Sequence, residues 1–66
     1  MDIYVNGQRL LLPEKRSLQA LLQEANWLNK RIAVELNGEV VPRSKYDSTW
    51  FVAGDRLEIV VAVGGG

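Results

Sequence analysis

Few side chains in this chain of 66 residues are equipped for chemistry. There is no cysteine, which removes thiol nucleophiles, disulfides and thiolate metal sites. There is no histidine, so the commonest general base and metal ligand is missing too. The carboxylates of Glu14, Glu24, Glu35, Glu39, Asp47, Asp55 and Glu58 are scattered, without the pairing that acid–base catalysis uses. Asp55 reads as a turn residue. A hydrolytic triad, a zinc site and an iron–sulfur cluster are excluded for this chain alone. It is expected to be no enzyme, to have no catalytic residues and to bind no metal or cofactor. What remains is the end of the sequence, Gly64-Gly65-Gly66. An α-carboxylate on Gly66 is ionised at neutral pH and is the one group on which another enzyme's chemistry can act.

The glycines give that group reach. Three extended residues span at most ~10–11 Å, enough to enter a narrow channel while a folded domain stays outside. A Cβ at Gly65 or Gly66 would widen the chain and crowd the carbonyl under attack. A glycine run also loses much backbone entropy on ordering and offers nothing to pack. The sequence therefore divides into a domain of residues 1–63 and a flexible tail, residues 64–66, with Gly64 and Gly65 needed for channel entry and Gly66 the reactive end.

The elements that must carry this tail are legible in order. Ile3 and Val5 alternate with Asp2 and Tyr4, the period-two pattern of a half-buried strand. Asn6-Gly7 is a favoured two-residue hairpin turn, because both positions accept positive φ, and Gln8 to Leu12 returns as a second strand that Pro13 closes. Ser17 is a helix N-cap. Leu18, Leu21, Leu22 and Ala25 then form one face of an amphipathic helix, which Asn26 ends. Ile32, Val34 and Leu36 predict a third strand, Asn37-Gly38 a second hairpin turn, and Glu39 to Val41 a short fourth strand that Pro42 stops. Ser44 to Asp47 forms a helical turn in an irregular segment pinned by Tyr46, Trp50 and Val52. Trp27 and Trp50 are expected at the core or its edge. Ala53-Gly54-Asp55 turns into a last strand, Arg56 to Val63, with Leu57, Ile59, Val61 and Val63 on one face. The other face carries Arg56, Glu58, Val60 and Ala62 and becomes apolar toward the tail. Val60 and Ala62, joined by Tyr4 on the neighbouring first strand, are the expected partner-docking residues.

Eight basic residues balance eight acidic ones. Phosphate neutralisation needs a basic excess on one face, so nucleic acid is not an expected partner. No apolar run approaches the ~20 residues of a membrane helix, and Met1 to Val5 is already strand-like where a leader would lie. A cytoplasmic location, with no membrane partner, is the expectation. The order hairpin, helix, two short strands, loop, last strand fits one helix packed on a mixed sheet. The fold class is α+β, a β-grasp or ubiquitin-like sheet of four to five strands with one packed helix, the last strand lying parallel to the first.

Three features together resemble the ThiS-type sulfur carriers of thiamine biosynthesis. They are the Gly54-Asp55 turn into the last strand, the terminal Gly65-Gly66, and the run Ala33-Val-Glu-Leu-Asn-Gly-Glu-Val-Val-Pro-Arg43. The resemblance covers nearly the whole chain. It implies a protein substrate, not a catalyst. A ThiF-like adenylyltransferase using ATP would join the Gly66 carboxylate to AMP. A persulfide sulfur donor would convert it to a thiocarboxylate, and a ThiG-like thiazole synthase would receive the sulfur. The small subunit of molybdopterin synthase resembles this pattern in fold and tail but is generally longer. A non-catalytic ubiquitin-like binding module with an inert tail is the reading from a different class.

Overall fold

The computed structural model describes residues 1–62. Two hairpins flank the last strand. β1 (Asp2–Val5) and β2 (Gln8–Leu11) pair antiparallel through Asn6 (φ 51°) and Gly7 (φ 83°). β3 (Ile32–Leu36) and β4 (Glu39–Val40) pair antiparallel through Asn37 (φ 53°) and Gly38 (φ 85°). Both turns have two consecutive positive φ values, the geometry that matches the twist of the strands they join. β5 (Arg56–Val61) enters between the hairpins, parallel to β1 and antiparallel to β3. The sheet has five strands in the order β2-β1-β5-β3-β4.

α1 (Leu18–Glu24) is only seven residues long, too short to persist without tertiary packing. Its caps and its buried face hold it. The Ser17 hydroxyl accepts the Ala20 N–H at 3.1 Å. At the other end Asn26 takes φ 60°, the Trp27 N–H reaches the Leu22 carbonyl at 2.8 Å and the Asn26 N–H reaches Gln23 at 3.2 Å. This is the Schellman closure, with asparagine in the left-handed position. Leu18, Leu21 and Leu22 are buried against Ile3, Val34, Leu57 and Ile59 of the sheet, each fully buried leucine contributing about 1.5–3 kcal/mol. Ala25, expected on that face, is exposed because it is already the C-cap.

The segment before β5 differs from the sequence reading. A 3₁₀ helix (Arg43–Ser48) buries Tyr46 as expected, but Trp50 and Val52 are 57% and 63% exposed, and Phe51 is the buried anchor. Residues 49–51 run beside the start of α1, with Leu18 N–H on Thr49 O, Phe51 N–H on Arg16 O and a bridge between Ser17 and Trp50. In an extended stretch neighbours point opposite ways, and this pairing turns Phe51 inward. Trp27 is partly buried against the core, as expected; Trp50 is not.

Candidate functional site

β5 leads to the glycines, and its attachment is built on both edges. On the β3 side the register runs from Leu36↔Leu57 to Ile32↔Val61. The Ala62 N–H adds a bond to the Arg31 carbonyl at 2.8 Å, one residue past the end of β5. On the β1 side the ladder stops at Val5↔Leu57, where β1 turns away. Asn6 continues it alone. Its backbone N–H donates to Leu57 O at 2.8 Å. Its side-chain oxygen accepts the Ile59 N–H at 2.8 Å, and its Nδ2 donates to Ile59 O at 3.3 Å. The amide thus stands in for one peptide unit of a missing strand. In the sequence Asn6 carries only the signal of a turn residue. Its second role depends on β5 lying alongside, which no local pattern announces.

The entry to β5 is held by a buried carboxylate. Asp55 is 7% exposed. Its Oδ2 accepts the Val52 N–H at 2.8 Å, and its Oδ1 accepts Asn37 Nδ2 at 3.0 Å. The Asn37 side-chain oxygen in turn accepts the Arg56 N–H at 2.9 Å. Asp55 is therefore a clasp between the β3–β4 turn and the loop into β5, and more than a turn residue.

Of the expected site residues, Gly64, Gly65 and Gly66 lie outside the described residues, as does Val63. Tyr4, Val60 and Ala62 are all exposed, Tyr4 at 38% and Val60 at 60%. Tyr4 and Val60 share the sheet face opposite α1, but they do not form one cluster. Tyr4 pairs with Arg56, four residues before Val60, which is roughly 13 Å along the strand. Val60 instead pairs with Ala33. Between them lies Glu58, directly opposite Glu35. The open face therefore runs from Tyr4 and Arg56, past two facing carboxylates, to small apolar residues at the tail end. Among the described residues no group of three or more His, Cys, Asp or Glu side chains is placed to hold a metal. Among the same residues no helix is long and apolar enough to cross a membrane.

A mixed five-stranded sheet, with its last strand inserted beside the first and one helix across a single face, defines a β-grasp protein. The ThiS family model matches residues 2–66, and the chain belongs to the ThiS family. A solved structure, the crystal structure of the thiamine biosynthesis protein ThiS from Geobacter metallireducens, superimposes with a TM-score of 0.85 at 33% identity, covering 100% of both chains. The chain is 36% identical over its whole length to the uncharacterized protein ycf40 of Porphyra purpurea, covering 93% of that protein. It is 38% identical, again over its whole length, to part of a thiazole synthase of Paramagnetospirillum magneticum. There, and in a second thiazole synthase from Magnetococcus marinus, this chain spans 20% of the relative's length.

Proposed function

We propose that this chain is a sulfur carrier for thiazole formation in thiamine biosynthesis, acted on by enzymes and catalysing no step itself. The observation that carries this reading is the full-length likeness to a thiamine biosynthesis protein in both sequence and fold. The presence of a similar segment within proteins named thiazole synthase supports thiazole synthase as the acceptor.

In this reading the Gly66 carboxylate attacks the α-phosphorus of ATP on a ThiF-like adenylyltransferase, releasing pyrophosphate. The mixed anhydride makes the carbonyl carbon electrophilic. A persulfide attacks it and AMP leaves. A thiol then attacks the donor-side sulfur of the acyl disulfide, forming a new disulfide with the donor, and the S–S bond to the acyl sulfur breaks to release the thiocarboxylate with the donated sulfur on Gly66. That sulfur is the nucleophile offered to a ThiG-like thiazole synthase. The chain's contribution is presentation. β5, bonded on both edges, gives the tail a fixed root, and Gly64 and Gly65 keep it thin enough for an active-site channel.

The test incubates the protein with ATP, a ThiF-like adenylyltransferase and a persulfide donor and records the intact mass. Replacement of one oxygen by one sulfur at the C-terminus is the expected result. An unchanged mass under conditions that thiocarboxylate a known ThiS protein would refute the carrier reading and leave the inert-tail binding module. Transfer of the sulfur to thiazole synthase, and not to molybdopterin synthase, assigns the pathway.

A further inference from the structure

Three cations meet where the chain leaves the sheet. Lys30, Arg31 and Arg43 line a shallow cleft of about 360 Å³ together with Leu28 and Asn29. The Arg43 guanidinium donates to the Leu28 carbonyl, and the Lys30 ammonium lies 5.4 Å from the centre of the Trp27 ring. Both are held by neutral groups, which order the side chains without cancelling their charge. The ion pairs among the described residues, Asp2–Arg9 and Arg16–Glu24, lie outside this cleft. Asp47 shares the 3₁₀ helix with Arg43 but makes no ion pair with it there. The facing carboxylates Glu35 and Glu58, and Glu39, lie toward the opposite end of the β3–β4 hairpin. A chain of zero formal net charge thus keeps a positive patch at the end of β3 from which its tail departs.

We propose that this cleft is an anionic-partner subsite, taking an acidic peptide segment on the enzyme that acts on the tail. The proposal rests on the carrier reading. Its physical basis is distance. At physiological salt a surface charge is felt over about 8 Å, so the patch acts on the part of a partner that docks beside the root of the tail. The bond from Ala62 N–H to Arg31 O at 2.8 Å sets the cleft at the root of the glycines. A one-signed patch there raises the encounter rate with an oppositely charged partner and fixes the orientation of docking. Small-molecule anions favour enclosed, concave sites. Long cationic side chains on an open surface suit an extended carboxylate-bearing segment that arrives with a docked protein.

The experiment measures adenylation of the full chain by a ThiF-like adenylyltransferase as a function of carrier concentration, from about 50 to about 300 mM salt. It compares the wild type with Lys30→Gln/Arg31→Gln and with the triple variant adding Arg43→Gln. The double variant retains the Arg43 bond to Leu28, so it tests the charge even if the triple variant unfolds. The expected result is an apparent KM raised about tenfold at low salt, an unchanged kcat and a flatter salt dependence. Wild-type KM and salt dependence in the double variant would overturn the proposal while leaving the carrier reading intact. No adenylation of the wild type would overturn both. Inhibition of the wild type by inorganic phosphate at constant ionic strength, absent in the double variant, would overturn the peptide assignment in favour of a small anion.

Discussion

Replacing Asn6 by glycine isolates the amide that stands in for a strand. Asn6 has φ 51°, so alanine would add left-handed strain, whereas glycine accepts this conformation. The substitution removes two bonds to Ile59, at 2.8 and 3.3 Å, and leaves the backbone bond to Leu57 in place. At a net 0.5–1.5 kcal/mol each, the loss is about 2 kcal/mol. For a domain of this size 1 kcal/mol shifts Tm by roughly 4–8 °C, so Tm should fall by about 8–16 °C. Asn26→Gly is the matched control. Asn26 has φ 60° at the helix C-terminus, where glycine is the commonest residue, and its Tm should stay level or rise slightly. Thermal unfolding followed by circular dichroism gives the stabilities. Amide hydrogen exchange at Ile59 gives the local effect, and its protection should drop in Asn6→Gly alone. The reasoning is refuted if the two variants melt within about 3 °C of each other and Ile59 keeps its wild-type protection.

Asp55→Ala removes the acceptor that the Val52 N–H and the Asn37 amide share at a partly buried site. With about 1.5–3 kcal/mol for each of the two bonds to the carboxylate, the cost is about 3–6 kcal/mol, a large part of a small domain's stability, and denaturant titration should show a largely unfolded protein at 37 °C. Gly66→Val should abolish adenylation with an unchanged melting curve; normal adenylation would remove the tail as the reactive element. If the face around Val60 docks on a ThiF-like adenylyltransferase, Val60→Asp, at a residue 60% exposed, should weaken that binding about tenfold or more by placing an unpaired charge there, with Tm within a few degrees of wild type. Global unfolding of that variant would instead show that Val60 serves the fold.

The parts of the fold that were legible in sequence are those whose signal is local. Asn6-Gly7 and Asn37-Gly38 carry their turn geometry in two residues, and Leu18, Leu21 and Leu22 carry the helix in one face. The alternation of Leu57 and Ile59 against Arg56 and Glu58 marks the start and faces of β5, but the strand ends at Val61 and not at Val63, with Ala62 already past its end. Its tailward end did not follow the alternation into burial, since Val61 is 41% exposed beyond the reach of the core. Phe51 was missed because the choice among residues 50, 51 and 52 is made by the Ser17–Trp50 bridge, a contact with a distant segment. Asp55 looked like any turn aspartate; its burial depends on the β3–β4 turn docking beside it. Lys30 and Arg31 stand in one connection of the sequence and Arg43 in another, and only the β3–β5 register brings the first connection to the end of β5.

The same register separates what Asn6 does for stability from what it does for presentation. If the β1-side bonds of Ile59 are lost, β5 is still held from the β3 side through Ala62, so the root of the tail stays in place in the folded protein. Suppose instead that fraying freed two further residues. Counted from Ala62, the tether would lengthen from four residues to six, from ~13–14 Å to ~20–22 Å at full extension. With local concentration falling as about the −3/2 power of length, the carboxylate would be diluted only about twofold. Well below its Tm, Asn6→Gly should therefore lose no more than about twofold in kcat/KM for adenylation while losing much of its thermal margin. A far larger loss, in protein shown to be folded at the assay temperature, would mean that the Asn6 side chain meets the enzyme directly and that its bonds to Ile59 are secondary.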